Sequence, residues 1–224
     1  MNKRQKTTKF YSQFMSSGDI VYDVGANVGN KTAVFLALEA RVIALEPQPN
    51  CVAKLSKRFG DKATIIQTAL SDRDGTASLN LTSASILASM NQNWIDAVKA
   101  ERFKKFNWHK VIKVPTTSID KLVIMHGTPK FIKIDVAGYE LNVLKGLHHR
   151  IKTVSFKFIP ESNIALSCIE RMVYLSPEYR FNYSLLENNE LTLDKWVEPT
   201  QIISILESYK TSKIFGDIYA KLIT

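Results

Sequence analysis

Cysteine is scarce in this sequence: Cys51 and Cys168 are the only two among 224 residues. They lack the close spacing of a thiolate metal site, so no metal ligand set is expected. Two reduced thiols in a cytoplasmic protein are the plain expectation. Long apolar runs are also missing. No stretch approaches the roughly 20 residues needed to span a bilayer. The basic start (Lys3, Arg4, Lys6, Lys9) lacks the apolar core expected of a secretory signal. Repeats and low-complexity linkers are absent as well. What remains is a basic N-terminal arm or helix at 1–17 and a single domain over 18–224, long enough for one full-sized core.

Acidic residues fall short of basic ones, 21 against 30, which gives a formal net charge of +9. Four of the positive charges lie in the first nine residues, leaving about +5 for the rest. Such an arm is expected to be a solvated, frayed end, with contact to nucleic acid or anionic lipid as the alternative. Hydrophobic residues at 45% and charged residues at 23% suit an ordinary water-soluble core and surface.

The most informative stretch is Ile20-Val21-Tyr22-Asp23-Val24-Gly25-Ala26-Asn27-Val28-Gly29-Asn30-Lys31. An apolar run ends in a glycine-bearing turn, and a helical pattern (Ala33, Phe35, Leu36, Leu38) follows at once. In a parallel α/β sheet this junction brings backbone N–H groups to a nucleotide-like ligand. The turn lacks the three glycines of the dinucleotide fingerprint, and no Gly-Lys-Ser/Thr closes it as in a P-loop. Arg41-Val42-Ile43-Ala44-Leu45 reads as the next strand, and Glu46-Pro47 ends it. An acid at that tip is placed to accept hydrogen bonds from ribose hydroxyls. A phosphate-free, cationic adenosine cofactor fits: S-adenosylmethionine. Asp23 would sit near its amino end and Gly25 to Gly29 near its carboxylate or sulfonium. The bland alternative is a bare structural βα turn.

Strands and amphipathic helices alternate through most of the remainder, the pattern of a parallel sheet covered on both faces. A helix is expected over about 50–59, a third strand over 63–70, and an alternating strand over 77–81. Strand 111–115 precedes a helix capped by Ser118, and 130–136 reads as a central buried strand. Helix 139–149, strand 152–159, helix 163–174 and strands near 181–187 and 217–222 complete the reading. Between Thr82 and Lys110 the periodicity fails. Ser83, Ser85, Ser89, Trp94, Phe103, Phe106, Trp108 and His109 interleave hydroxyls and aromatics there, which reads as a substrate lid or, in the plainer version, a packed surface excursion.

Asp135 falls at the tip of the central strand, the edge where open α/β sheets bind ligands, and joins Asp23 and Glu46 there. Lys133, two residues earlier on the same strand face, is expected to form a structural ion pair. Glu140 opens the following helix, where the macrodipole favours a carboxylate whatever its role. Transfer of an activated methyl needs positioning and, for a hydroxyl acceptor, removal of a proton. Asp135, Glu140 and His109 are the candidate bases, although a lone loop histidine is more commonly an ordinary surface residue. His126, His148 and His149 read as structural or solvated. No Asn/Asp-Pro-Pro-aromatic sequence follows Asp135, which argues against methylation of a base nitrogen.

These segments together resemble FkbM-type S-adenosylmethionine-dependent methyltransferases. The likeness is carried by Asp23 to Gly29, by Leu45-Glu46-Pro47-Gln48-Pro49, and by Val114-Pro115-Thr116-Thr117-Ser118-Ile119-Asp120. Phe131-Ile132-Lys133-Ile134-Asp135-Val136 and Gly138-Tyr139-Glu140 complete it, and it spans roughly residues 18–161. The resemblance implies a Rossmann-like class I methyltransferase fold with a mainly parallel seven-stranded sheet. It implies O-methylation of a small-molecule or sugar hydroxyl, with a small molecule or glycan as partner and nucleic acid not expected. Asp23, Gly25, Ala26, Asn27, Gly29, Glu46, Pro47, Ala69, Ser71 and Asp135 become candidate cofactor residues. Asp135, Glu140 and His109 are the candidate catalytic ones, and Ser85, Trp108 and Lys157 the candidate acceptor contacts.

Two positions depart from the resembling pattern. Ala137 stands where such proteins carry Glu in Asp-Val-Glu-Gly, and Lys157 stands for the Glu of Ser-Phe-Glu-Phe. Both changes remove a carboxylate from the acceptor side. The expectations are a weakened enzyme, a non-catalytic cofactor-binding protein, or an altered, anionic acceptor; restoring both glutamates is expected to raise activity if the loss is a lesion. A further alternative is RNA 2′-O-methylation, whose enzymes use a Lys-Asp-Lys-Glu tetrad. Lys31, Asp135, Lys157 and Glu187 have that order, and the basic charge suits phosphate binding.

Overall fold

Strand β1 (Ile20–Val24) is buried on both faces and lies between β2 (Arg41–Leu45) and β7 (Phe131–Ile134), paired in parallel with each. This is a computed structural model that describes residues 2–223. Strand β3 (Thr64–Ile66) extends the sheet beyond β2, and β8 (Thr153–Phe158) extends it beyond β7, both in parallel. Strand β10 (Gly216–Leu222) then runs antiparallel between β8 and β9 (Tyr179–Leu185). The seven-stranded order is β3-β2-β1-β7-β8-β10-β9. It reverses direction of winding between β1 and β7, so the carboxyl ends of those strands open a crevice.

Period-two burial assigns each strand residue to a face. Tyr22, Val24, Ile132 and Ile134 pack on one face against α5 (Ile119–His126), α6 (Glu140–Lys145), α7 (Ile164–Leu175) and α8 (Pro199–Ser208). Val21, Val42 and Phe131 pack on the other against α1 (Lys3–Tyr11), α2 (Asn30–Ala37) and α3 (Pro49–Phe59). A three-stranded sheet joins β4 (Ala69–Leu70), β5 (Gly75–Leu81) and β6 (Lys110–Thr117), with β6 central. Helix α4 (Gln92–Ala100) lies in the segment connecting β5 to β6.

Several expectations change here. The basic arm is not a solvated end: α1 forms, and Phe10, Tyr11, Phe14 and Met15 at its end are buried on the sheet. Phe14 stacks on Phe131 at 5.4 Å and on Tyr219 at 5.0 Å between ring centroids. The expected strand 63–70 is two strands in two sheets. The chain turns at Thr68, whose hydroxyl donates to the Pro115 carbonyl at 3.1 Å. The helix expected over 139–149 stops at Lys145, and the capping Gly146 lies so close to the Ser71 carbonyl that a Cβ would stand 2.3 Å from it. Ser118 caps α5 as expected, its hydroxyl accepting the Lys121 N–H. No described helix is long and apolar enough to cross a membrane.

Candidate active site

A cavity of about 500 Å³ opens at the carboxyl edge of β1, β2, β7 and β8. One end is built on the glycine turn. Gly25 has φ +80°, and a Cβ there would lie 2.1 Å from the Asp135 carbonyl oxygen, so only glycine fits between the tips of β1 and β7. The Gly25 and Ala26 N–H groups donate to Leu45 O at 2.9 and 3.0 Å, locking the turn to β2. The Asn27 N–H, next in line, donates to Glu46 Oε2 at 2.8 Å. Glu46 Oε1 accepts the Gln48 N–H at 2.9 Å and its side-chain amide at 3.1 Å. A carboxylate offers about four lone-pair sites; these three donors leave room for one more from a ligand. Burial pushes the Glu46 pKa up, and the N–H groups of Gln48 and Asn27 oppose that shift. Asp23 is buried in the cavity wall, accepts the Thr32 hydroxyl at 2.6 Å, and has its pKa raised by burial.

The segment between β5 and β6 roofs this cavity and is tied down at both ends. Near the cofactor turn, the Ser85 hydroxyl and the Asn27 amide exchange contacts at 3.0 and 3.2 Å, and the Gln48 amide donates to the Ser85 carbonyl at 3.0 Å. At the far end the Ser89 hydroxyl donates to Ala137 O at 2.7 Å and the Asn91 amide to Gly138 O at 2.6 Å. Trp94, Phe103, Phe106 and Ile159 give that end of the cavity an apolar, aromatic lining.

Beneath the aromatics lies a charged floor. Lys133 Nζ stands 3.2 Å from Asp135 Oδ2 and 3.5 Å from Asp217 Oδ1. Lys157 Nζ bridges the same two oxygens at 3.3 and 3.7 Å. Burial works against ionising Asp135, but Lys133 and Lys157 outweigh it and hold this carboxyl well below the usual carboxylate range. Burial likewise opposes the Lys157 charge, and Asp135 and Asp217 overcome it, raising its pKa. The expected ion pair of Lys133 is therefore one edge of a four-residue, charge-balanced network.

The cavity wall brings together Asp23, Gly25, Ala26, Asn27, Glu46, Pro47, Ala69, Ser85, Asp135 and Lys157 from the sequence-derived candidates. It does not include Gly29, Ser71, Trp108, His109 or Glu140. Gly29 instead packs under Leu55 and Phe59 at the start of α2, where φ +84° and lack of space both require glycine. Ser71 bonds to Asp72 and Tyr139. The Trp108 indole N–H donates to Leu87 O at 2.8 Å and its ring meets Trp94 edge-on, so it holds the roof together from outside. His109 is exposed, its ring paired with the Asn107 carbonyl. Glu140 is buried and turns back on its own loop, accepting the Val136 and Gly138 N–H groups at 3.1 and 3.3 Å. Burial raises its pKa to about 7.

Sequence reasoning missed Gln48 and Asp217, and also Phe215 and Arg102 of the cavity wall, where Glu161 pairs with Arg102 at 2.9 Å. Asp217 carried one signal, as the lone acid near the start of a strand whose next three residues are apolar. Its partner became visible only with the register that sets Asp217 opposite Lys157.

Comparisons with known proteins agree with this architecture. The family profile described as "Methyltransferase FkbM domain" matches residues 23–210. A hexuronic acid methyltransferase, AglP, from Haloferax volcanii is 27% identical over 145 residues, covering 63% of this chain. The chain matches about half of that relative's length, 55%. A solved precorrin-6y C5,15-methyltransferase from Geobacter metallireducens superposes with a TM-score of 0.50 at 9% identity, covering 97% of this chain and 87% of that one. At that identity the likeness speaks for the fold.

Proposed function

We propose, for a chain that belongs to the FkbM methyltransferase domain family, that the methyl group is delivered to a hydroxyl oxygen of a small molecule or sugar. The chain is an S-adenosylmethionine-dependent methyltransferase, and the cofactor supplies a methyl already activated on a sulfonium. The residues present fit that group. Glu46 keeps a lone pair for a ribose hydroxyl, Ala69, Leu70 and Leu79 offer an apolar wall for a flat base, and Asp23 offers negative charge to a cationic ligand. What carries the acceptor reading is that one cavity joins the Glu46 turn to the Asp135–Lys157 pair under an aromatic roof. Sugars pack their C–H faces on aromatic rings and their hydroxyls on charged or amide groups, and Trp94, Phe103 and Phe106 line the same cavity as Asp135 and Lys157. Asp135, held ionised, accepts the hydroxyl hydrogen. The hexuronic acid methyltransferase relative supports a sugar acceptor.

The test is release of S-adenosylhomocysteine from the full chain supplied with p-nitrophenyl β-D-glucoside or β-D-glucuronide, beside calorimetry with S-adenosylmethionine. Turnover on either glycoside supports the reading. Tight cofactor binding with neither glycoside methylated counts against it.

A second reading has one observation in its favour: Lys31, Asp135, Lys157 and Glu187 all line the same cavity, as a Lys-Asp-Lys-Glu tetrad of RNA 2′-O-methylation would require. It predicts RNA binding whose log K falls steeply with log salt. No RNA retention at low salt removes it.

A further inference from the structure

We propose that Lys157 is a catalytic residue of this enzyme, its ammonium donating to the acceptor oxygen and so fixing the lone pair that attacks. The proposal rests on the hydroxyl-methylation reading above. It replaces the view that a lysine at this position is a lost function.

The two lysines of the floor are not equivalent. Lys133 is sealed in, with a side chain 2% exposed, and serves both Asp135 and Asp217. Both lysines line the cavity, but Lys157, on the same two carboxylates, has a side chain 25% exposed and is the one open to a ligand. An ammonium has three N–H donors. Asp135 takes one at 3.3 Å, while Asp217 at 3.7 Å is an ionic contact beyond hydrogen-bond length. At least one N–H therefore remains for a ligand, beside an Asp135 side chain that is 38% exposed. Asp217 is the register partner of Lys157 across the antiparallel β8–β10 pairing, so the backbone itself holds the lysine in place. The Phe215 ring, 5.8 Å from the ammonium, adds a face to that clamp.

The floor contains two positive and two negative side chains, and a neutral hydroxyl matches such a surface. Its O–H points to Asp135, one oxygen lone pair takes the Lys157 N–H, and the second lone pair is left free for the methyl that a bound cofactor would supply. The O–CH₃ bond forms with that pair as the S–CH₃ bond breaks, leaving a neutral thioether. The hydroxyl proton passes to Asp135 and on to water. A weak base suffices, because the oxygen has begun to carry positive charge when the proton leaves. Replacing Lys157 by glutamate sets three carboxylates around Lys133, with Lys31 the other lysine of the cavity wall, which upsets the balance instead of restoring a function.

The experiment uses the full chain, S-adenosylmethionine and the two p-nitrophenyl glycosides, with Lys157→Met, Lys157→Arg and Lys157→Glu. Lys157→Met is expected to lower kcat by roughly 100-fold with KM changed less than about threefold and cofactor affinity within about twofold. Lys157→Arg recovers about tenfold of that loss, and Lys157→Glu is no better than Lys157→Met. If Lys157→Met lowers the melting temperature too far to assay, the charge-balanced pair Lys157→Met with Asp217→Asn is read by the same criteria. Higher turnover in Lys157→Glu, or a kcat for Lys157→Met within about threefold of wild type, overturns the proposal while leaving the sugar reading intact. A wild-type protein that binds cofactor but methylates neither glycoside overturns both.

Discussion

Glu46 and Asn27 are joined by a 2.8 Å hydrogen bond from the Asn27 backbone N–H to the Glu46 carboxylate. The tip of β2 and the glycine turn after β1 therefore form one unit, with an acid already oriented before a ligand arrives. Glu46→Ala is expected to weaken S-adenosylmethionine binding by about 1–3 kcal/mol, since a charge-assisted hydrogen bond and the turn's own support are both lost. Glu46→Gln keeps an acceptor for one N–H and should lose less. Titration calorimetry with S-adenosylhomocysteine measures both; equal affinity in wild type and Glu46→Ala would exclude Glu46 as a ribose ligand.

Much of this unit was legible in the sequence. An apolar run, a glycine turn and an acid at the next strand end are local features, and each has a local physical cause. Asp135 followed from the same logic, as the acid that ends a strand apolar but for Lys133. Helix α8 was missed although its signals are local: Pro199 stands in the first turn, Glu198 and Gln201 form a capping box, and Ile202 and Leu206 recur four apart on the buried face. The Lys157–Asp217 pairing depends on antiparallel register, which no local pattern encodes. Trp108 and His109 looked functional because aromatics and imidazoles are common in sites; the structure turns one into a brace for the roof and leaves the other in solvent.

The roof is latched to the glycine turn and to the tip of β2. Ser85 and Gln48 link it to Asn27 and Glu46 by side-chain hydrogen bonds that must open for exchange. Ser85→Ala and Gln48→Ala are therefore expected to raise both the association and dissociation rates of S-adenosylhomocysteine by roughly three- to tenfold, with affinity nearly unchanged. Stopped-flow fluorescence from Trp94, which lines the same cavity, gives the rates. A change confined to dissociation would mean that these residues bind ligand directly and do not act as a latch.

Glu140 makes stability depend on pH. Burial lifts its pKa from 4.5 to about 7, so between those values the folded chain holds a proton that the unfolded chain releases. The contribution is fully present below pH 4.5 and is lost as pH rises through 7. For a side chain this buried it amounts to a loss on the order of 1–3 kcal/mol. Glu140→Gln should flatten that slope, gaining on wild type at pH 8 relative to pH 5. Denaturant unfolding at the two pH values decides it, and parallel shifts in both proteins would show that Glu140 is not the titrating group.

The basic start of the chain owes its place to aromatic packing and not to its charges. Phe14 is 4% exposed and stacks between Phe131 and Tyr219, with interplanar angles of 11° and 6°. Removing that ring leaves a void against the sheet face that carries β7 and β10, at a cost of about 3–5 kcal/mol for Phe14→Ala. Arg4 and Lys6, by contrast, are exposed. Arg4→Gln with Lys6→Gln should change stability by no more than about 0.5 kcal/mol each. Chemical denaturation of the two variants separates the cases. If the charge removal destabilises more than the ring removal, the segment is anchored electrostatically and the aromatic contacts are incidental.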